Sequence, residues 1–203
     1  MVTISWRKTN GSIRATGLSN GGAAKQLGTV SYSGSSLISG KLTDLGYINK
    51  IKITVDGLRG TGFVENDDYS LYDYHVRIKI KDKEYSSEKI RVKFGYKSGV
   101  GTLHTKTFEI NETIILSGSD SIWDSVSIWA QKITSSASGG EAYAFHNDSN
   151  QRMTVTYEGT EGLFKYNTGN GWQNCSVNYY DGAKWVQVQP HYYENGLWKP
   201  TGA

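Results

Sequence analysis

The last forty residues of this 203-residue chain repeat one short unit three times: Tyr166-Asn167-Thr168-Gly169-Asn170-Gly171-Trp172, Tyr180-Asp181-Gly182-Ala183-Lys184-Trp185 and Tyr193-Glu194-Asn195-Gly196-Leu197-Trp198. The tryptophans recur every 13 residues. That interval is too short for a helical repeat but accommodates two short strands and a tight turn, so each unit reads as a β-hairpin. With Asn195-Gly196 as a two-residue turn, Tyr193 and Trp198 are expected directly opposite each other. With Asp181-Gly182 in the same role, Tyr180 is expected opposite Ala183, with Trp185 lying diagonally across the same face. Either register produces an aromatic face. A two-stranded hairpin is marginal in water, and about forty residues rarely bury enough apolar area to fold alone. The face must therefore cover something: the next repeat, the rest of the chain, another subunit or a ligand.

The remaining length suits one β domain with this appendage. Twenty-four glycines, two prolines and fourteen tyrosines, with abundant Ser, Thr and Asn, match a turn-rich β protein, and no amphipathic helix of four turns is evident. A net charge of +3 selects neither nucleic acid nor membrane as a partner. The single cysteine, Cys175, excludes an internal disulfide and reads as a small strand residue. Met1 to Lys8 lacks the apolar stretch of a signal peptide, and no run approaches a membrane span, so a soluble chain made without a leader is expected. Asn-x-Ser/Thr triplets begin at Asn10, Asn111, Asn147 and Asn174. They matter only in a secreted eukaryotic chain, and chance accounts for them in this composition.

Asn10 to Ser39 is rich in Gly, Ser, Ala and Thr, with scattered apolar residues. Residues 1–39 therefore read as a Gly/Ser-rich arm, either a surface loop with one or two edge strands or a segment ordered against a neighbouring subunit. Strand signals come next. Ile48 to Val55 alternates Ile51, Ile53 and Val55 with polar residues and is expected to end at Asp56-Gly57. Tyr74 to Lys81 and Lys89 to Phe94 alternate in the same way, and Asp82 to Glu88 is expected to connect them as a hairpin. Further strands are expected at Leu103 to Ile110, Thr113 to Leu116, Ser125 to Ile133, Glu141 to Phe145 and Arg152 to Glu158. The expected fold is all-β: a β-sandwich or jelly-roll-like domain over residues 40–158, followed by aromatic hairpin repeats over residues 159–203. Trp123 and Trp129 are expected to pack in the core or at a sheet edge.

Several groups could carry chemistry. If the apolar set of the second and third strands faces inward, Arg77, Lys79, Lys81, Arg91 and Lys93 share one solvent-facing surface. That is either an attraction site for an anionic polymer such as wall teichoic acid or nucleic acid, or a solvated face whose lysines discourage edge pairing. No aromatics interleave there as a nucleic-acid module requires, so no specific nucleic-acid partner is expected. Glu65-Asn66-Asp67-Asp68, with Asp73 nearby, is acidic but lacks the ordered ligand alternation of a calcium loop. His75, His104, His146 and His191 show no metal-ligand spacing, and no cofactor or metal is expected. The chain has no nucleophile elbow and no phosphate-binding glycine loop, so no catalytic residue is assigned. Trp172, Tyr180, Trp185, Tyr193 and Trp198 could stack on the apolar faces of sugars while neighbouring Asn, Asp and Gln side chains take the hydroxyls. The same rings are also the main apolar material available to hold the tail together.

The run Tyr180-Asp181-Gly182-Ala183-Lys184-Trp185-Val186-Gln187-Val188, followed by Tyr193-Glu194-Asn195-Gly196-Leu197-Trp198, resembles the closing repeats of virion structural proteins from phages of Gram-positive bacteria. The resemblance covers about a fifth of the chain, and the first copy departs from it by an extra residue before Trp172. It implies a tail, tail-tip or capsid-associated component of a particle, not an enzyme. Other virion subunits are its implied partners, with a homo-oligomeric state, a virion location, no membrane insertion and host cell-wall polysaccharide as a possible ligand. Three readings stay open: attachment to a host-surface glycan, a purely structural decoration or assembly role, and a glycan-processing enzyme with a binding module.

Overall fold

The computed structural model describes residues 2–32, 36–39, 47–61, 69–80, 83–95, 103–115, 125–135, 140–146, 151–160, 164–167, 172–175, 177–180, 185–188, 191–194 and 197–200. Every regular element among them is a strand: β1 (Val2–Thr9), β2 (Ile13–Ala15), β3 (Lys25–Ser31), β4 (Ser36–Ser39), β5 (Tyr47–Gly60), β6 (Tyr69–Ile80), β7 (Lys83–Ser86), β8 (Ile90–Gly95), β9 (His104–Ile110), β10 (Ile114–Ile115), β11 (Ser125–Ser135), β12 (Ala142–Ala144), β13 (Arg152–Thr160), β14 (Phe164–Asn167), β15 (Trp172–Cys175), β16 (Val177–Tyr180), β17 (Trp185–Val188), β18 (His191–Glu194) and β19 (Leu197–Pro200). The first thirteen form two antiparallel sheets. One runs β2-β12-β5-β13-β1-β4, with β9 and β10 also on β5; the other runs β3-β11-β6-β7, with β8 also on β6.

The two sheets share one core, and its residues follow the pleat. From the larger sheet come Ile4, Trp6, Ile51, Ile53, Val55, Phe108, Met153, Val155 and Tyr157; from the smaller come Tyr72, Tyr74, Val76, Ile78, Val92, Phe94, Val126 and Ile128, all buried. Alternate residues in each strand face outward, as period-two patterning requires. The polar tips of its large aromatic side chains are bonded. The Trp6 indole N–H donates to the Tyr157 hydroxyl at 3.1 Å. The hydroxyls of Tyr72 and Tyr74 donate across the sandwich to the carbonyl oxygens of Thr61 and Arg59, each at 2.7 Å. Burial pushes both phenols well above their ordinary pKa, Tyr72 by desolvation first and Tyr74 likewise.

Three expectations are corrected. Residues 1–39 are no arm: β1 lies between β13 and β4 in the larger sheet, and β3 pairs with β11 in the smaller. Ile4, Trp6, Leu27 and Val30 supply core side chains there, and the polar residues between them face out. Asp56-Gly57 does not end β5; it is a bulge, where pairing with β9 shifts between Val55 and Leu58, and Gly57 takes the left-handed φ of 65° that a bulge of this kind demands. The segment expected to connect the charged hairpin is itself partly strand. β7 pairs with Arg77 to Ile80 and β8 with Tyr69 to Tyr74. At the break between them Ser87 bonds Val76 twice, its N–H donating to the Val76 carbonyl at 3.0 Å and its Oγ accepting from the Val76 N–H at 3.1 Å.

After Thr160 the chain forms three two-stranded ladders, β14-β15, β16-β17 and β18-β19, the hairpins that the repeats announce. Tyr193 registers opposite Trp198 as expected. Tyr180 registers opposite Trp185, not Ala183, because the connection spans residues 181–184 and moves the partner by two positions. In the first hairpin Asn167, not Tyr166, is opposite Trp172, the consequence of its extra residue.

Deleting residues 1–39 is expected to abolish the cooperative thermal transition, whereas deleting residues 161–203 is expected to leave it, as calorimetry would show. Gly60→Ala would bring its methyl to 2.4 Å from the Tyr72 ring and 2.8 Å from Phe94, a cost of about 1–3 kcal/mol in denaturant titration. Gly11→Ala, with nothing within 4 Å, should change stability by less than about 0.5 kcal/mol.

Candidate functional site

Two regions hold the residues singled out by the sequence: the outer face of the smaller sheet and the hairpin tail. On the outer face, register builds rows across β11, β6 and the returning strand. Gln131 is opposite Asp73 and Asp73 opposite Arg91; Trp129 is opposite His75; Ser127 is opposite Arg77; Ser125 is opposite Lys79 and Lys79 opposite Glu84. Arg77, Lys79, Arg91 and Lys93 all belong to this face, while Lys81 lies outside the described residues.

Most of the cations there are engaged. Arg91 grips the Asp73 carboxylate with two hydrogen bonds, Nε at 2.8 Å and Nη2 at 3.0 Å. That carboxylate raises the Arg91 pKa, through the hydrogen bond first and its charge second. Arg77 bonds Glu84 at 3.1 Å and lies over the Trp129 ring at 4.3 Å. Lys93 stands over Tyr69 at 4.5 Å, and Lys89 donates to Gln131 Oε1 at 3.0 Å. Lys79 is exposed, with Glu84 as its cross-strand neighbour. Acidic partners thus interleave with the basic residues, and the surface is a mixed-charge lattice more than a cationic patch.

The centre of this lattice is His75, only 5% exposed although its strand position faces outward. Trp129 stacks on it with ring centroids 6.0 Å apart and 20° between planes, and the Arg77 Nε–H donates to its Nε2 at 3.3 Å. The Trp129 indole N–H is tied to Ser127 Oγ at 3.0 Å. Trp129 is thus a lid on an outer face, neither core nor edge as expected; Trp123 lies outside the described residues. The spacing of His75, Arg77 and Trp129 in the sequence contains no hint of this trio, because the register of β6 against β11 creates it.

The remaining expected groups are scattered or undescribed. Glu65 to Asp68 lie outside the described residues, and Asp73 is held by Arg91. His75, His104 and His146 sit apart, and among the described residues no group of three His, Cys, Asp or Glu stands close enough to hold a metal ion. In the tail, Trp172, Tyr180, Trp185, Tyr193 and Trp198 are all in strand, two Tyr-Trp pairs being in direct register. No helix is long and apolar enough to cross a membrane among the described residues.

No protein-family model matches the chain, and no curated protein matches it. Solved structures do. The crystal structure of the infectious bursal disease virus VP2 subviral particle is 15% identical with a TM-score of 0.35, covering 78% of this chain and 37% of its own. T=1 particles derived from a mutant VP2 of the same virus are 13% identical with a TM-score of 0.34, over 77% of this chain and 35% of that one. The structure of the Gx strain of the virus is 13% identical with a TM-score of 0.28, over 79% and 37%. The chain spans little more than a third of the length of these proteins.

His75 yields a pH dependence. Burial first, then the charges of Arg77 and Lys89, hold its pKa below the ordinary 6.5. Unfolded chain therefore takes up the proton before folded chain does, so stability is complete above the unfolded pKa and is lost as pH falls through the folded one. His104 and His146 shift the same way. The melting temperature is expected to fall between about pH 7 and about pH 5, and His75→Gln should flatten part of that slope in a pH series of thermal melts.

Proposed function

We propose that this chain is a component of a phage particle, carried at its periphery, where the aromatic hairpins attach to a glycan of the host surface. On this reading it is a binding protein and not an enzyme. The observation that carries it is the serial array of three two-stranded hairpins, each laddered only within itself among the described residues and two with Tyr registered opposite Trp. A two-stranded ladder gains little stability alone, and a Tyr-Trp pair offers large apolar area with polar tips, the surface chemistry that stacks on sugar rings and bonds their hydroxyls. Single aromatic contacts of about 1 kcal/mol bind weakly. A symmetric particle that presents many copies turns later contacts into intramolecular ones and multiplies the effect. The Tyr, turn, Trp pattern resembles the closing repeats of phage virion proteins, and this supplies the particle context.

A structural role, with the tail packed on a neighbouring subunit, is favoured for the first hairpin, where Asn167 stands opposite Trp172. The two readings part in a pull-down with Gram-positive cell-wall polysaccharide. Parent protein should be retained, and Trp185→Ala combined with Trp198→Ala should lose at least about tenfold in retention with the thermal transition of the sandwich unchanged. Equal retention of the variant would remove the second and third hairpins from the site.

A further inference from the structure

The outer face of the larger sheet ends in a cluster that neither the hairpins nor the Trp129 lattice uses. Tyr143 of β12 registers opposite Arg14 of β2 on one side and Arg59 of β5 on the other. The three form a row with each arginine one strand spacing, about 4.8 Å, from the tyrosine. Arg14 hydrogen-bonds the Tyr143 phenol, whose hydroxyl donates to the Glu141 carboxylate. The His146 ring lies 4.4 Å from that of Tyr143, with Nε2 against Arg59 Nη1. His146 is placed by local backbone: Phe145 adopts a φ of 57°, its N–H donates to the Asp56 carbonyl, and the His146 N–H donates to the carbonyl of Gly57, both at 3.1 Å.

The row has more donors than acceptors. Arg59 cannot accept, so Nε2 of His146 accepts from it and the proton of the neutral ring belongs on Nδ1. Arg59 Nε and His146 Nδ1 are both buried and without a hydrogen-bond partner, and His146 as a whole is only 9% exposed. Buried N–H groups lacking an acceptor are costly and uncommon in folded chains. The cluster holds two guanidinium groups and one carboxylate, so a positive charge is also left over. Glu141 already demonstrates the complementary chemistry: an oxyanion resting on the Tyr143 hydroxyl beside Arg14.

We propose that Arg14, Arg59, Tyr143 and His146 form a binding site for the oxyanion of a ligand, a phosphate or a carboxylate group, with Glu141 as the internal carboxylate that the ligand displaces. The guanidinium of exposed Arg14 meets the ligand first; Arg59 and His146 supply the N–H groups that wait for an acceptor. The site stands on the sandwich and is independent of the hairpins.

The test is an NMR titration of the full chain at constant ionic strength, following the His146 ring signals with inorganic phosphate, with glucuronate and with neutral glucose. A saturable shift in the millimolar range is expected for at least one anion and none for glucose. Saturation by phosphate alone assigns a phosphoryl ligand, and saturation by glucuronate alone a carboxylate sugar. Arg14→Gln and Arg59→Gln should each weaken binding at least about tenfold. Glu141→Gln should tighten it several-fold, because the competing charge is gone, an effect that a merely structural role for Glu141 would not produce. Trp185→Ala combined with Trp198→Ala should titrate as the parent does, which separates this site from the hairpins. No saturable response to either anion, an equal response to glucose, or unchanged affinity in folded Arg14→Gln would overturn the proposal.

Discussion

Everything in the sandwich is hung on β5. It runs from Tyr47 to Gly60 and is paired on both sides, by β13 and β12 along one edge and by β9 and β10 along the other. Its first half sends Ile51, Ile53 and Val55 into the core. Past the Gly57 bulge its backbone acquires a second role, because the carbonyls of Arg59 and Thr61 receive the hydroxyls of Tyr74 and Tyr72 from the opposite sheet. A continuous regular strand could not do both, because the bulge bends the chain and re-aims the residues beyond it. Gly60 permits the Tyr72 ring to lie directly on the backbone. Two sheets that pack on each other through apolar side chains are therefore also fastened by directional bonds at this end.

The same bulge decides what stands on the outer side of the larger sheet. Before it, many outward residues pair with one another: Ser5 with Thr156 at 3.0 Å, Thr54 with Thr107 at 2.8 Å, Lys50 with Glu109 at 3.1 Å and Lys52 with Glu158. Glu158 raises the Lys52 pKa, by its hydrogen bond first, as an exposed ion pair does. Beyond it, Arg59 Nε and His146 Nδ1 are buried without a hydrogen-bond partner.

Strands buried on one face were legible in the sequence because burial on one side writes a period of two. β5, β6, β8, β9, β11 and β13 all carry it, so fold class and much of the order of elements were readable. What failed shares a cause. β1 carries the alternation of Ile4 and Trp6 against Ser5 and Arg7, but the Gly/Ser-rich stretch after it lent the whole segment the look of an arm. β3, with only Leu27 and Val30 facing in, offers two apolar residues in seven, too few for a periodic signal. β7 is Lys-Glu-Tyr-Ser and reads as a turn. Asp56-Gly57 is a stop signal in most contexts and a bulge here, and only a partner strand on each side tells the two apart. The sites were less legible than the fold. Alternation placed Arg77 and Arg91 on one face, yet the acids that engage them, Glu84 and Asp73, come into reach through register, which no local pattern encodes.

Register also bears on where a ligand could gain energy. On the smaller sheet the aromatic and basic groups already bind each other: Trp129 lies against both His75 and Arg77, and Arg91 and Asp73 close a two-bond fork. A ligand there must break as many contacts as it makes, and its net gain is small. The hairpins differ in kind. Each carries its own ladder with no third strand among the described residues, and direct opposition of Tyr180 to Trp185 and of Tyr193 to Trp198 makes each aromatic pair nearest cross-strand neighbours. Had Tyr180 paired with Ala183, the second unit would have held its aromatic positions on a diagonal, about 7–8 Å apart along the backbone, and the two hairpins would not repeat the same surface. Residues 181–184 separate the strands of one and residues 195–196 those of the other, and both reach the same Tyr-Trp register. That convergence is what a repeated recognition or packing unit requires, and a tail shaped only by turn preference would not produce it.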